Sequence, residues 1–253
     1  MRVLITGKNG YIAKSLISKL KGYDIVAVGR DDFDLTDREA TNEWFKGKYF
    51  NTVIHTAIVG GSRLKKDDEK VFFQNLSMFY NLLANESSFN QLISFGSGAE
   101  LNYPTDPYGL SKNIINRIVQ NENKLNNIRI FGVFDENELD TRFIKSNIKR
   151  YINKEPLQVH QNKLMDFFYM DDLVSVVNYV INNRQIKTIN CSYSQPYTLY
   201  DIALLINELS DYRCEIKVEQ EGLGKPYLGA YSNWDIPLVG LEKAIKRVYE
   251  KIN

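Results

Sequence analysis

Apolar residues gather in short runs along the first half of the chain, at Val3 to Thr6, Ile25 to Gly29, Thr52 to His55, Gln91 to Phe95 and Ile128 to Gly132. Each run has the length of a strand, and the stretches between them are amphipathic and long enough for helices. Alternation of the two predicts an α/β fold built on a parallel, doubly wound sheet. The runs are apolar at consecutive positions, as expected of parallel strands covered by helices on both faces. Past Asp140 the rhythm loosens. Helical patterns cover Thr141 to Asn153, Asp171 to Asn183, Thr198 to Leu209 and Leu238 to Lys251, and predict a smaller α+β lobe at the C-terminal end. Two helix starts are legible: Asp171 and Asp172 as caps of one, and Thr198 with Asp201 as a capping box ahead of Ile202 to Leu205.

Composition narrows the partners. Hydrophobic residues make up 43% of the 253 positions and charged residues 25%, with a formal charge of +1, so the chain carries no electrostatic footprint for nucleic acid or an anionic membrane. No apolar stretch is long enough to span a bilayer. The strand-like Arg2-Val3-Leu4-Ile5 at the start lacks a signal-peptide pattern, and the expected location is the cytoplasm. Cys191 and Cys214, each isolated in a strand-like run, read as buried thiols and not as a disulfide or metal site.

Candidate chemistry begins where the first strand runs into Thr6-Gly7-Lys8-Asn9-Gly10-Tyr11-Ile12-Ala13. This is a G-x-x-G-x-x-A turn between strand and helix. Gly7 permits the tight turn, Gly10 lets backbone approach a pyrophosphate, and Ala13 lets helix and strand pack closely. The helix start spanning Asn9, Gly10, Tyr11 and Ile12 offers N–H groups to phosphate. The second run ends at Val28-Gly29-Arg30, where a carboxylate for the ribose hydroxyls of NAD is missing. Arg30, with Lys8 as a second cation, favours the 2′-phosphate of NADP(H) over NAD(H), the alternative being two solvated surface cations. Asp34 and Leu35 are candidates for the adenine side, with a helix cap ahead of Thr36 to Phe45 as the other role open to Asp34.

A second constellation follows the fourth run: Ser94-Phe95-Gly96-Ser97-Gly98-Ala99, then Pro107-Tyr108-Gly109-Leu110-Ser111-Lys112. A Tyr and a Lys four apart share one helix face. A phenol with a pKa of about 10 is a weak acid or base at neutral pH, and an adjacent ammonium favours the phenolate. Tyr108 then gives a proton to a developing alkoxide, or takes one in reverse. Ser97, at a strand end, hydrogen-bonds the same oxygen. Lys112 is also positioned to hold the nicotinamide ribose.

At these residues the chain resembles the extended short-chain dehydrogenase/reductase family of NAD(P)-dependent sugar-nucleotide epimerases, dehydratases and reductases, over nearly its whole length. Val53-Ile54-His55-Thr56-Ala57 is similar to the family's third-strand segment along the cofactor, with Ala57 a cofactor contact. Asn75 matches its structural Asn, and Phe167-Phe168-Tyr169-Met170-Asp171-Asp172-Leu173 its late signature. Arg30 to Leu35 and Ala57 to Gly61 are similar to segments of the GDP-fucose synthase branch. The resemblance implies a Rossmann-type dinucleotide-binding domain over 1–139. It also implies a substrate lobe over 140–253, some of whose segments return to the sheet, a nucleotide-sugar substrate and a homodimer.

Some positions depart from that branch. Ala99 and Arg142 stand where its epimerising members use a Cys and a His, and neither suits proton transfer at carbon. Met165 replaces an Arg that grips pyrophosphate, which leaves Arg142 and Arg150 as candidate substrate contacts. Eleven positions separate Ser97 from Tyr108, a shorter loop than the family's usual one, so a more open site is expected. The resulting expectation is an NADP(H)-dependent reductase of a nucleotide-activated keto-deoxy sugar, at C4, in bacterial surface-glycan synthesis. Two alternatives remain: an NAD-dependent sugar-nucleotide epimerase or dehydratase, for which Glu100 is a displaced acid, and a non-catalytic dinucleotide sensor. His55 is expected to be structural, His160 a substrate contact or plain surface, and Phe72, Phe73, Phe79 and Tyr80 core or dimer face.

Overall fold

The computed structural model describes residues 1–62, 66–233 and 235–253. In chain order the elements are β1 (Arg2–Thr6), α1 (Tyr11–Lys19), β2 (Asp24–Val28), α2 (Arg38–Phe45), β3 (Thr52–His55), α3 (Glu69–Leu83), β4 (Leu92–Ser97), α4 (Ala99–Asn102), α5 (Pro107–Asn121) and β5 (Leu125–Ile130). There follow β6 (Val133–Phe134), α6 (Phe143–Ile152), β7 (Leu157–Gln161), β8 (Phe168–Tyr169), α7 (Met170–Asn182), β9 (Thr188–Asn190), α8 (Leu199–Asn207), β10 (Ile216–Gln220) and α9 (Leu241–Ile252). The chain divides into two compact units, one of Met1–Ile130 with Val176–Ile189, the other of Phe131–Ser175 with Asn190–Asn253.

The first unit carries a six-stranded sheet in the order β2-β1-β3-β4-β5-β9, with parallel ladders from β2 through β5. Strand order reverses between β1 and β3, and such a switch point opens a crevice at the strands' carboxyl ends. Leu4, Val53, Phe79, Leu82 and Leu92 lie in one core cluster between sheet and helices. Four strands fall within a residue or two of their expected bounds. β5 is the exception, because it begins at Leu125 and not at Ile128. Asn126 and Asn127 read as loop, yet both are 1% exposed. Gln91 donates to the Asn126 side chain at 2.8 Å, which donates in turn to the Arg184 carbonyl at 3.0 Å. Asn127 donates to Asn116 at 3.0 Å. Satisfied amides therefore extend the buried strand beyond the apolar run. Likewise α2 starts at Arg38, since Asp37 accepts from Ala40 N, while Asp34 accepts from the Thr36 N–H and hydroxyl one turn earlier.

The second unit packs α6, α8 and α9 with β7 around a core that includes Phe134, Ile148, Leu157, Ile202 and Ile245. β7 pairs in parallel with β10, and β6 with β8. The Thr198–Asp201 capping box is present at α8. Asp171 and Asp172 lie inside the first turn of α7 and not ahead of it. Asp172 accepts from the Tyr193 hydroxyl at 2.5 Å and from the backbone N–H groups of Val239 and Gly240 at 2.7 and 3.1 Å. It ties down the entry to α9. Cys191 and Cys214 are buried and free.

Candidate active site

A cleft of about 240 Å³ opens at the switch point of the sheet. Its walls come from the ends of β1 (Gly7, Asn9, Gly10), β2 (Val28 to Arg30, Phe33 to Leu35) and β3 (Thr56 to Val59), with Met78 of α3 behind. Gly7 is at φ +73, and a Cβ there would lie 2.8 Å from the Ala57 backbone, so only glycine fits. Gly10 N donates to Gly7 O at 2.8 Å and starts α1 with no side-chain cap, the arrangement that leaves a helix N-terminus to phosphate. Tyr11 and Ile12 form the first turn. Thr56 lies in the segment expected along the cofactor, and Phe33 and Val59 in the two segments matched by resemblance; Met78 was not singled out from the sequence, being an ordinary apolar residue whose place in the wall depends on how the fold brings α3 behind the strand ends.

Lys8 is held by two carboxylates. Its ammonium lies 2.7 Å from Asp31 Oδ2 and 2.6 Å from Asp32 Oδ2, and Asp32 also accepts from Gly29 N at 2.8 Å. These bonds hold the Lys8 pKa above its ordinary value and that of Asp32 below. Arg30 lines the cleft beside Asp34, whose carboxyl is lowered first by its bonds to Thr36.

The three chemical groups stand on β4 and α5 of the same unit. Ser97 closes β4, and its Oγ accepts from Ala99 N at 3.1 Å. Tyr108 is in the first turn of α5, which starts with Pro107 behind Asp106. The buried Lys112 Nζ donates to the Phe95 carbonyl at 2.6 Å and lies 5.8 Å from the centre of the Tyr108 ring. Burial pushes Lys112 down to about 8, against a smaller opposing pull from Glu100. His55 is buried against Thr6 Oγ1 at 2.9 Å, and desolvation, with Lys112 nearby, lowers it to about 3. A neutral, enclosed imidazole fits the structural role expected of it.

Gly61 and Asn75, the second matched from the sequence as a structural Asn, support Tyr108 in a way the sequence did not reveal. Gly61, at φ +73, lies so close that a Cβ would meet the Tyr108 ring at 2.7 Å. Asn75 bonds both backbone groups of Val59, at 2.9 and 3.0 Å, and donates to Ser111 Oγ at 3.3 Å; Ser111 donates to the Tyr108 carbonyl at 2.7 Å. A brace thus runs from the cleft wall to the turn bearing Tyr108. The Gly60-Gly61 pair was the available signal.

A family model described as the NAD dependent epimerase/dehydratase family matches residues 3–192. The chain belongs to that family. Among relatives, a GDP-L-colitose synthase from Yersinia pseudotuberculosis is 23% identical, over 84% of this chain and 83% of that protein. A CDP-abequose synthase from the same organism is 24% identical, over 83% and 85%. The solved GDP-mannoheptose C4 reductase of Campylobacter jejuni, with NADP bound, matches the fold with a TM-score of 0.82 at 16% identity, over 99% of this chain and 97% of that one.

As an enzyme of the epimerase/dehydratase family, the chain uses a nicotinamide dinucleotide, and the Gly7 cradle and the cleft at the switch point fit one. When bound, that group supplies or takes up a hydride. Glu100 is enclosed and engaged through one oxygen. It is 1% exposed, ion-paired with the buried Arg129, and raised by burial above the ordinary carboxylate range. In the second unit, Arg142 is exposed at the N-cap of α6. Arg150 stands eight positions on, about 12 Å along the helix, 3.4 Å from Glu155. The two expected substrate cations are therefore not brought together. Met165 is buried in the second core. His160 is exposed and pairs with Glu219 at 2.7 Å.

Proposed function

We propose that this chain is an NADP(H)-dependent reductase acting on the C4 keto group of a nucleotide-activated deoxy sugar. The observation that carries the reading is the inertness of the groups after Ser97. Ala99 has no acid or base, and Glu100 is spent on Arg129. Tyr108 is left as the proton donor to the alkoxide, with Ser97 holding the carbonyl oxygen and Lys112 favouring the phenolate and holding the nicotinamide ribose. Dehydration, and epimerisation at a carbon beside the carbonyl, need a further group to move a proton at carbon, whereas epimerisation at the carbinol carbon by removal and return of a hydride does not and is left to the coenzyme-consumption test below. The sugar synthases and the C4 reductase among the relatives are named for GDP- and CDP-linked sugars, which supports the substrate class. The relative with NADP bound and Arg30 in the cleft wall support the phosphorylated coenzyme.

Arg142 is the second unit's proposed cation for the sugar nucleotide, and a homodimer, a cytoplasmic location and surface-glycan synthesis complete the reading. The test is incubation of NADPH with a panel of nucleotide-linked 4-keto-6-deoxy sugars. One NADPH oxidised per product is expected, and Tyr108→Phe should cut turnover by about 10²–10⁴-fold with coenzyme affinity kept. Product formed with no net coenzyme consumption would instead establish an epimerase or dehydratase. Coenzyme binding with no reaction across the panel would favour a sensor.

A further inference from the structure

The two carboxylates on Lys8 have no counterpart among the roles assigned above. Lys8 belongs to the glycine turn, and its stem crosses the end of β2, where a Cβ on Gly29 would lie 3.1 Å from Lys8 Cγ and 2.8 Å from Asp31 Oδ1. Gly29 and Arg30 both line the coenzyme cleft. The Lys8 ammonium and its two carboxylates therefore sit at the β2 rim of the cleft, next to Arg30, the one cation among the described residues that line it. Among the described residues the charges at this rim are Lys8 and Arg30 against Asp31, Asp32 and Asp34.

The two partners of Lys8 are unequal. Asp32 is fixed a second time by the Gly29 N–H at 2.8 Å, and its side chain is 35% exposed. Asp31 reaches Lys8 at 2.7 Å with its side chain 61% exposed. An exposed single ion pair is weak, whereas a phosphate brings nearly two charges and three acceptor oxygens to the same ammonium.

We propose that Asp31 occupies, on Lys8, the place taken by the 2′-phosphate of the coenzyme. It is a displaceable carboxylate that sets how strongly this cleft prefers the phosphorylated form, while Asp32 keeps the turn and the lysine in position. This rests on the NADP(H) reading above but is separable from it. A coenzyme with a 2′-phosphate expels Asp31 and joins Lys8 and Arg30. A coenzyme without one leaves the pair closed and gains nothing from it.

The experiment is fluorescence titration of the intact chain and its D31N, D32N and K8M variants with NADPH and with NADH. D31N should tighten NADPH by about three- to tenfold, the scale of one exposed pair released, and change NADH by less than twofold. K8M should weaken NADPH by tenfold or more and spare NADH, and D32N should weaken both by loosening Gly29. If D31N leaves the NADPH to NADH ratio unchanged, the proposal falls while an NADPH preference carried by Arg30 still stands. If D31N weakens NADH, Asp31 is a ribose acceptor and the proposal is overturned. If the parent chain shows no preference and D31N creates one, the proposal holds and the NADP(H) reading fails. Binding of neither coenzyme would end both.

Discussion

The Lys112 ammonium loses most of its water when the chain folds and regains one carbonyl, that of Phe95 at 2.6 Å. Its pKa falls from 10.5 in the free side chain to about 8. Between those values the unfolded chain binds the extra proton, so stability rises with pH across that window. Below it the penalty is fully present, at roughly 3 kcal/mol. Lys112→Met should therefore raise the melting temperature, relative to the parent, more at pH 7 than at pH 10, even though it abolishes turnover. Thermal melts at the two pH values test this, and an equal difference at both would show that the ammonium is not desolvated. The charge whose burial costs stability is the one the reaction needs, because an ammonium stripped of water acts strongly on a nearby phenol.

Between elements, the loop after β3 and the start of α5 are fitted to each other through Gly61, Asn75 and Ser111. Alanine at Gly61 adds both a strained φ and a clash with the Tyr108 ring. Displacing a reacting group by about 1 Å costs on the order of 10²-fold in rate. Gly61→Ala should thus lower turnover by about that factor and change coenzyme affinity by less than about threefold, a split read by kinetics beside fluorescence titration. A parallel loss of both would place Gly61 in the coenzyme wall. The capping box of α8 is a purely local device by contrast. Thr198→Ala removes the acceptor for Asp201 N and should cost about 1 kcal/mol, or about 2–4 °C in melting temperature, with coenzyme titration unaltered.

On the scale of the whole molecule, the outer face of α3 is unusually apolar. Phe73 and Tyr80, seven positions apart and so on one face, are 62% and 50% exposed, while Phe79 on the other face is fully buried. The proposed homodimer would cover this face. Phe73→Glu combined with Tyr80→Glu should halve the mass seen by analytical ultracentrifugation and leave the coenzyme cleft working. A parent chain that sediments as a monomer would refute the dimer directly. Among the described residues no helix is long and apolar enough to cross a membrane.

Much of this protein follows from local pattern alone. The alternation of strand and helix, the glycine turn, the Tyr108–Lys112 spacing and the α8 cap each depend on a few consecutive residues, because backbone geometry and helix periodicity act over that range. Packing decided the rest. Asn126 and Asn127 look like loop residues, and only partners distant in sequence, such as Gln91, Asn116 and the Arg184 carbonyl, make them strand. Lys8 and Glu100 look free in sequence; Asp31 with Asp32, and Arg129, claim them in space. Charge and hydrogen-bond partners are settled by three-dimensional neighbours, since a polar group taken out of water must find a partner wherever the fold places one. Sequence spacing names the groups that do the chemistry, and tertiary structure decides which of them remain available.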